Sequence, residues 1–120
     1  MTLHHVSIEV LPDDLGRFGE LLEVIGFERI EAPPALGGAI PWYERERSQV
    51  HLIPTEAAVV PTLGHAAFAA PDFDADLARL RDRGFEVEDH RELWGARRAF
   101  VIAPGGHRVE LMEAPPEPSV

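Results

Sequence analysis

The feature that most restricts the fold of this chain is a run of elements that occurs twice. Segment 3–10 (LHHVSIEV) and segment 64–70 (GHAAFAA) each read as a strand with a histidine near its start. Each is followed by an acidic helical segment that closes on Gly-Phe, and further strands follow, among them 49–53 and 108–112. A duplicated module usually cannot bury its apolar face alone. The pattern therefore predicts two copies of one unit, each with the order strand, helix, strand, strand, strand.

The apolar periodicity of the first half shows which residues build a core. Val6, Ile8 and Val10 alternate with polar residues along the first strand. The following segment repeats its apolar residues at three- and four-residue spacing, which predicts an amphipathic helix that ends at Gly26. In the strand 49–53, the core positions are Val50 and Leu52 by the same alternation.

These elements predict an α+β fold in which two βαβββ modules form a curved mixed sheet. The helices are expected on the convex face, and the site on the concave face. The loop 31–38 is rich in proline and glycine, and the sequence leaves open whether it covers a pocket. The whole chain, 1–120, is expected to be a single domain with module 1 at about 3–54, a linker at 55–63, module 2 at about 64–113 and a flexible tail at 114–120.

Composition excludes several classes of function. The net charge of −10 makes nucleic acid and anionic membrane surfaces improbable partners, because both need a basic footprint. The chain has no cysteine, so any metal would be held by nitrogen and oxygen ligands. We find no signal-peptide pattern and no apolar run that is long enough to span a membrane, so a cytoplasmic location is expected.

Four residues of metal-ligand type occupy corresponding places in the two halves. His5 and His65 are 65 − 5 = 60 positions apart, and His51 and Glu110 are 110 − 51 = 59 apart. A lone histidine on a strand is more often exposed or hydrogen-bonded than a ligand. Here all four residues alternate out of phase with the apolar residues of their own strands. Imidazole nitrogen and carboxylate oxygen suit a divalent ion such as zinc, nickel, iron, manganese or cobalt.

The motifs around these residues resemble those of the vicinal oxygen chelate superfamily, which includes glyoxalase I, extradiol dioxygenases, methylmalonyl-CoA epimerase and the fosfomycin- and bleomycin-resistance proteins. The resemblance extends from Leu3 to Glu113 and implies a glyoxalase-like fold. The motifs that carry it are LHHVSIEV at 3–10, QVHLI at 49–53, GHAAF at 64–68 and PGGHRVEL at 104–111.

The resemblance also implies roles for the four residues. His5 and His65 match the family's histidine ligands, and Glu110 matches the carboxylate of the last strand. His51 stands where glyoxalase I has glutamate and the epimerase has glutamine, so ordinary glyoxalase I chemistry is not expected. Ala103 stands where the family usually has aspartate, and we expect at most a structural consequence.

By strand phase, five further residues should share the concave face, and the resemblance to fosfomycin-resistance proteins, in which matching positions line the substrate pocket, implies that they bind substrate: Ser7, Trp42, Gln49, Arg98 and Phe100. Trp42 could stack on a ring or could belong to the core. Arg98 could hold a carboxylate or phosphate group, or could pair with a surface acid. The remaining histidines are predicted at the surface, off the site phase or in turns: His4, His90 and His107.

Two hypotheses of function follow. The first is a metal-dependent lyase, isomerase or dioxygenase that acts on a small oxygen-rich molecule, with Glu110 as the candidate base because a carboxylate can leave the metal and accept a proton. The alternative is a resistance protein that sequesters or modifies a drug. Retention of all four ligand-type residues favours the enzyme. Modules with an exposed face also predict a homodimer, and the sequence leaves open whether the site would be shared between subunits.

Overall fold

A computed structural model describes residues 2–118 of the chain, so Met1 and the last two positions of the predicted tail, 119 and 120, lie outside the described residues. The described chain divides between Val60 and Pro61 into two compact units. This division lies within the segment that the sequence suggests as a linker. Each unit has the predicted order of elements, and the fold class is α+β as expected.

The first unit is a four-stranded mixed sheet with one α-helix. Its strands follow the order β1-β4-β3-β2, in which β1 runs parallel to β4 and the other pairs are antiparallel. The bounds of the elements are β1 His5–Val10, α1 Leu15–Val24, β2 Glu28–Ile30, β3 Trp42–Arg45 and β4 Ser48–Pro54.

The core of the first unit lies between α1 and one face of its sheet. Val50 and Leu52 are fully buried, as their alternation predicts, and they share the core with Phe18 and Leu21 of the helix. The helix stops before Gly26, whose φ of 98° is a left-handed conformation that favours glycine. This packing leaves the opposite face of the sheet to the polar residues.

The second unit repeats this arrangement. Its strands follow the order β5-β8-β7-β6, with β5 parallel to β8, and its helix buries Leu77 and Leu80. The bounds are β5 Ala66–Ala69, α2 Phe73–Asp82, β6 Glu86–His90, β7 Arg98–Ile102 and β8 Arg108–Met112. In the described range 2–118, no helix combines the length and apolar character that crossing a membrane requires.

Two sequence-based expectations in the second half differ from the structure. His107 was expected at the surface, but it is buried; its backbone carbonyl closes the turn Pro104–Gly106 by accepting a 2.7 Å hydrogen bond from the Ala103 amide. His90 was expected off the site phase or in a turn, yet it is the last residue of the strand β6 and pairs with Arg98 of β7. The backbone of His107 is thus held by a local turn, whereas His90 is held by pairing with another strand.

Candidate functional site

The polar face of the first sheet carries a stack of three aromatic rings. His51 of β4 lies between its two neighbours: its ring centroid is 4.2 Å from that of His5 and 3.9 Å from that of Trp42, with interplanar angles of 20° and 5°. Ser7 and Trp42 are the cross-strand partners of His51, and Gln49 is the partner of His5. Because cross-strand partners project to the same side of a sheet, this unit brings its five predicted site residues to one face.

His51 is the most enclosed of the site residues of this unit. Its Nε2–H group donates to Oε1 of Gln49 across 2.8 Å, so Nδ1 carries the lone pair. Burial lowers the pKa of His51, and the neighbouring His5 and His4 lower it further. The ring is therefore neutral at neutral pH, which is the form that binds metals.

In the second unit, Glu110 of β8 is almost completely buried and both of its oxygens are engaged. Oε1 lies 2.9 Å from Nε2 of His65, and Oε2 accepts a hydrogen bond of 2.8 Å from Nε of Arg98. Burial would raise the pKa of Glu110, but hydrogen bonds from Arg98 and His65, with their charges, hold it below its ordinary value. Glu110 is therefore ionised at neutral pH.

The contacts of His65 place its Nε2 against a carboxylate oxygen of Glu110. Its Nδ1 lies 2.9 Å from the carbonyl oxygen of Leu63, which can only accept, so Nδ1 carries a hydrogen. Nε2 then faces a carboxylate oxygen and needs either a proton or a metal ion. Two cis ligands that are each about 2.1 Å from a metal are about 3 Å apart, close to the spacing observed here. A backbone carbonyl that accepts from the far nitrogen is also the usual support of a ligating histidine.

Arg98 is already occupied within the second unit. In addition to Glu110, it donates to the carbonyl oxygen of Arg91, and its guanidinium lies 5.7 Å from the ring centroid of Trp94 and 5.5 Å from that of Phe100. Only 12% of the side chain is exposed. Of the two roles that the sequence leaves open, the structure therefore shows a pairing with an acid, and that acid is the buried Glu110.

Phe100 is buried on the same face as Glu110, its cross-strand partner. Its ring contacts those of His65 and His90 edge-on, with centroids 4.8 and 4.7 Å away, and the guanidinium of Arg108 lies 4.1 Å from it. Sequence reasoning missed His90 and Arg108. The alternation Glu86, Glu88, His90 would have placed His90 on this face if the strand had been extended by two residues.

The donor chemistry of the four predicted ligands fits a divalent metal, although each unit supplies only two of them. His5 and His51 lie together in the first unit, and His65 and Glu110 lie together in the second. Among residues 2–118, no group of three or more histidine, aspartate or glutamate side chains is already gathered as a metal cluster. The four-ligand centre thus stays a prediction.

The family of the chain follows from comparison with known proteins. The model of the glyoxalase/bleomycin resistance protein/dioxygenase superfamily matches residues 4–111. The chain therefore belongs to that superfamily, as its motifs suggest. Comparison with curated protein sequences gave no significant match.

Solved structures share the fold at low sequence identity. A glyoxalase family protein from Bacillus anthracis is 24% identical with a TM-score of 0.83, and 93% of each chain is covered. The fosfomycin resistance protein FosX from Mesorhizobium loti is 19% identical with a TM-score of 0.73, covering 96% of this chain and 92% of its own. TnmS3, an antibiotic binding protein from Streptomyces sp. CB03234, is 22% identical with a TM-score of 0.72, covering 92% and 93%. These similarities show the fold and leave the reaction open.

Proposed function

We propose that this protein is a metal-dependent enzyme of the lyase, isomerase or dioxygenase type that acts on a small oxygen-rich molecule. The observation that supports it best is the pairing of His65 with Glu110, whose Nε2 and Oε1 atoms lie 2.9 Å apart, a spacing that fits a hydrogen bond in the metal-free protein and two cis ligands of a bound metal. In this proposal, the metal ligands are His5, His51, His65 and Glu110. A bound divalent ion would supply a centre that takes substrate oxygens and stabilises the negative charge developing on them.

The other residues of the two faces support this chemistry. Arg98 fixes the orientation of Glu110, and the Leu63 carbonyl fixes that of His65. Glu110 is the proposed base, and it can take a proton only after one of its present contacts is released, because Arg98 and His65 stabilise its ionised form. Ser7, Trp42, Gln49, Arg98 and Phe100 are the proposed substrate contacts.

Metal content tests the proposal directly. Protein purified without a histidine tag should contain close to stoichiometric metal, or take it up in titrations with zinc, nickel, manganese, cobalt and ferrous iron. The variant His65→Ala/Glu110→Ala should lose this binding, whereas Glu86→Gln, an exposed acid on β6, should keep it. Wild-type protein that takes up only trace metal in every titration would contradict the enzyme proposal.

The residue at position 51 predicts which reaction is not the natural one. Because His51 stands where glyoxalase I has a glutamate, we expect weak or no isomerisation of the methylglyoxal–glutathione hemithioacetal. The His51→Glu variant should increase that activity by about tenfold or more, since a positioned base contributes at least this much. If wild type turns over the hemithioacetal as fast as His51→Glu does, histidine supports the isomerisation at this position as well as glutamate does.

A drug-binding function is the second candidate, and the ring stack favours it. His51 is enclosed between the other two rings, so His5 and Trp42 at the ends of the stack are the rings on which a planar drug could stack, and one neighbour in fold is an antibiotic binding protein. Fosfomycin, bleomycin and catechols should be titrated with and without metal. Binding without turnover or metal dependence would favour this candidate over the enzyme.

A homodimer and a cytoplasmic location complete the proposal. Members of closed symmetric oligomers commonly use one self-complementary surface patch. Light scattering at micromolar concentration should give twice the mass of 13.3 kDa, and cell fractionation should recover the protein in the cytoplasm. A monomeric mass over the whole concentration range would count against the dimer and against any site shared between subunits.

A further inference from the structure

The second sheet carries an arginine that the proposed metal chemistry does not use. Arg108 lies on β8 two residues before Glu110 and opposite Ile102, so it projects to the same face as Glu110 and Phe100. Arg98 already donates from Nε to Glu110 at 2.8 Å and from Nη1 to the Arg91 carbonyl oxygen, so fewer of its donors remain for a ligand anion. Arg108 is under no such constraint.

The present contacts of Arg108 are weak. Its Nη2 is 3.7 Å from Oε1 of Glu88, which is too long for a hydrogen bond, and the two side chains are 35% and 45% exposed. An ion pair of this kind contributes little to stability. Nη2 also lies 3.3 Å from Nε2 of His90, and the guanidinium lies 4.1 Å from the Phe100 ring centroid. The contact with Phe100 positions the guanidinium and leaves its donors available.

One donor of this arginine lacks a partner altogether. Among the described residues, the Nε of Arg108 is shielded from water and makes no hydrogen bond. A buried donor without an acceptor is unfavourable. The Nε–H and Nη–H groups of a guanidinium form a fork that matches two oxygens of a carboxylate or phosphate. A small shift of the exposed Glu88 or His90 side chain would admit such a group.

We propose that Arg108, with His90 beside it and Phe100 beneath it, binds an oxyanion group of a ligand on this face of the second sheet. The group is a carboxylate or a phosphate-type oxyanion. That the ligand is the substrate rests on the proposed function, but oxyanion binding by Arg108 does not. The proposal narrows the oxygen-rich substrate to an anionic one.

The test is oxyanion binding by metal-free protein. Metal is removed with a chelator, and the chelator is then removed by gel filtration, so that neither can contribute to the signal. Inorganic phosphate and acetate are titrated by calorimetry and by amide chemical shifts, with sodium chloride at matched ionic strength as the reference. We expect saturable binding of at least one of the two oxyanions, and the stronger binder identifies phosphate or carboxylate as the recognised group.

Variants assign the binding to Arg108. Arg108→Gln should weaken it by about tenfold or more, since a hydrogen bond to a charged group contributes this much. Arg108→Lys should retain part of the affinity, because an ammonium keeps the charge without the fork. Glu88→Gln should tighten binding by removing the competing carboxylate. Arg81→Gln is the matched control, because it changes the net charge equally from an exposed position on α2.

The same series can overturn the proposal. Absence of saturable binding of both oxyanions to wild-type protein would do so, and so would unchanged affinity in Arg108→Gln. Equal losses in Arg108→Gln and Arg81→Gln would show that only net charge matters. Urea unfolding of each variant establishes that it is folded, and Glu88→Gln, which should gain affinity, does not depend on a loss of structure. If the protein proves not to bind metal, the oxyanion titrations can still be interpreted, because they are done on metal-free protein.

Discussion

Glu110 shows how one buried residue can be committed to two partners. Its Oε2 is held by Arg98 and its Oε1 by His65, and its side chain is 6% exposed. A buried carboxylate survives ionised only when its partners offset the loss of hydration. The ion pair with Arg98 therefore has a structural function whether or not a metal is bound.

Replacing Arg98 should reveal that function. In Arg98→Met, Glu110 keeps only His65 as a partner, so we expect the free energy of unfolding to fall by about 2–3 kcal/mol in urea titrations. Metal affinity should also fall by about 10- to 100-fold, because the carboxylate loses the group that orients it.

Two controls separate this effect from a general loss of charge. Arg98→Lys should lie between wild type and Arg98→Met, since it keeps the charge but not the fork geometry. Arg81→Met breaks an exposed pair with Asp89 of 3.3 Å and should change stability by less than about 1 kcal/mol. Equal destabilisation by Arg98→Met and Arg81→Met would refute the special role of the buried pair.

The helix α1 depends on a close approach to its sheet at one glycine. A Cβ atom added to Gly19 would overlap the hydroxyl oxygen of Tyr43 on β3, so the helix or the tyrosine would have to move. Gly16, one turn earlier in the same helix, would bring such a Cβ within 4 Å of no described atom beyond its adjacent residues and the helix's own backbone. The two glycines thus share a helix but differ in surroundings.

This difference predicts opposite effects of the same substitution. Gly19→Ala should destabilise the protein by about 1–3 kcal/mol, because overpacking forces the helix or Tyr43 to move. Gly16→Ala should stabilise it by up to about 1 kcal/mol, because alanine is the better helix former and meets no obstacle. Thermal unfolding of both variants gives the comparison.

The clash itself can be tested by removing the atom that causes it. Tyr43→Phe deletes the hydroxyl oxygen, so the double variant Gly19→Ala/Tyr43→Phe should recover part of the stability that Gly19→Ala loses. A loss that is identical in the wild-type and Tyr43→Phe backgrounds would mean that the close approach to this oxygen does not limit the position.

The sequence predicts which helices and strands form better than it predicts where they end. It also predicts which face of a strand a residue occupies better than it predicts which residue it contacts. Alternation correctly predicts the burial of Val50 and Leu52, because each depends only on strand phase. The continuation of β6 to His90 depends on pairing with Arg98, and no local pattern in Asp89-His90 indicates it. The bond between Arg98 and Glu110 likewise depends on the register of β7 against β8, so the sequence suggested only a pairing with a surface acid and did not indicate the buried Glu110.

For the whole molecule, fold and reaction are set by different residues. A glyoxalase family protein, a fosfomycin resistance protein and an antibiotic binding protein share this fold, with TM-scores of 0.72 to 0.83 to this chain. The buried positions that define the fold say nothing about which ligand is bound. The identity of the ligand must therefore depend on the polar residues of the two sheet faces that the helices leave uncovered. His51 and Arg108 are the two residues of these faces from which we draw predictions about the ligand.

The charge of the whole chain leads to a last prediction. The chain has 21 acidic and 11 basic residues, so even complete one-to-one pairing leaves 21 − 11 = 10 acids without a partner. Mutual repulsion of these acids destabilises the compact state. Raising sodium chloride from about 0.01 M to about 0.15 M shortens the Debye length from about 30 Å to about 8 Å. We therefore expect the melting temperature to rise by several degrees, although the same salt weakens surface pairs such as Arg17 with Glu20.

Glu56→Gln/Glu117→Gln changes two exposed acids and reduces the net charge to −10 + 2 = −8, so its melting temperature should respond less to salt than that of wild type does. Arg81→Gln, at −10 − 1 = −11, should respond more. A melting temperature that falls with added salt would show that attractive pairs, and not the excess of acids, dominate the electrostatic free energy.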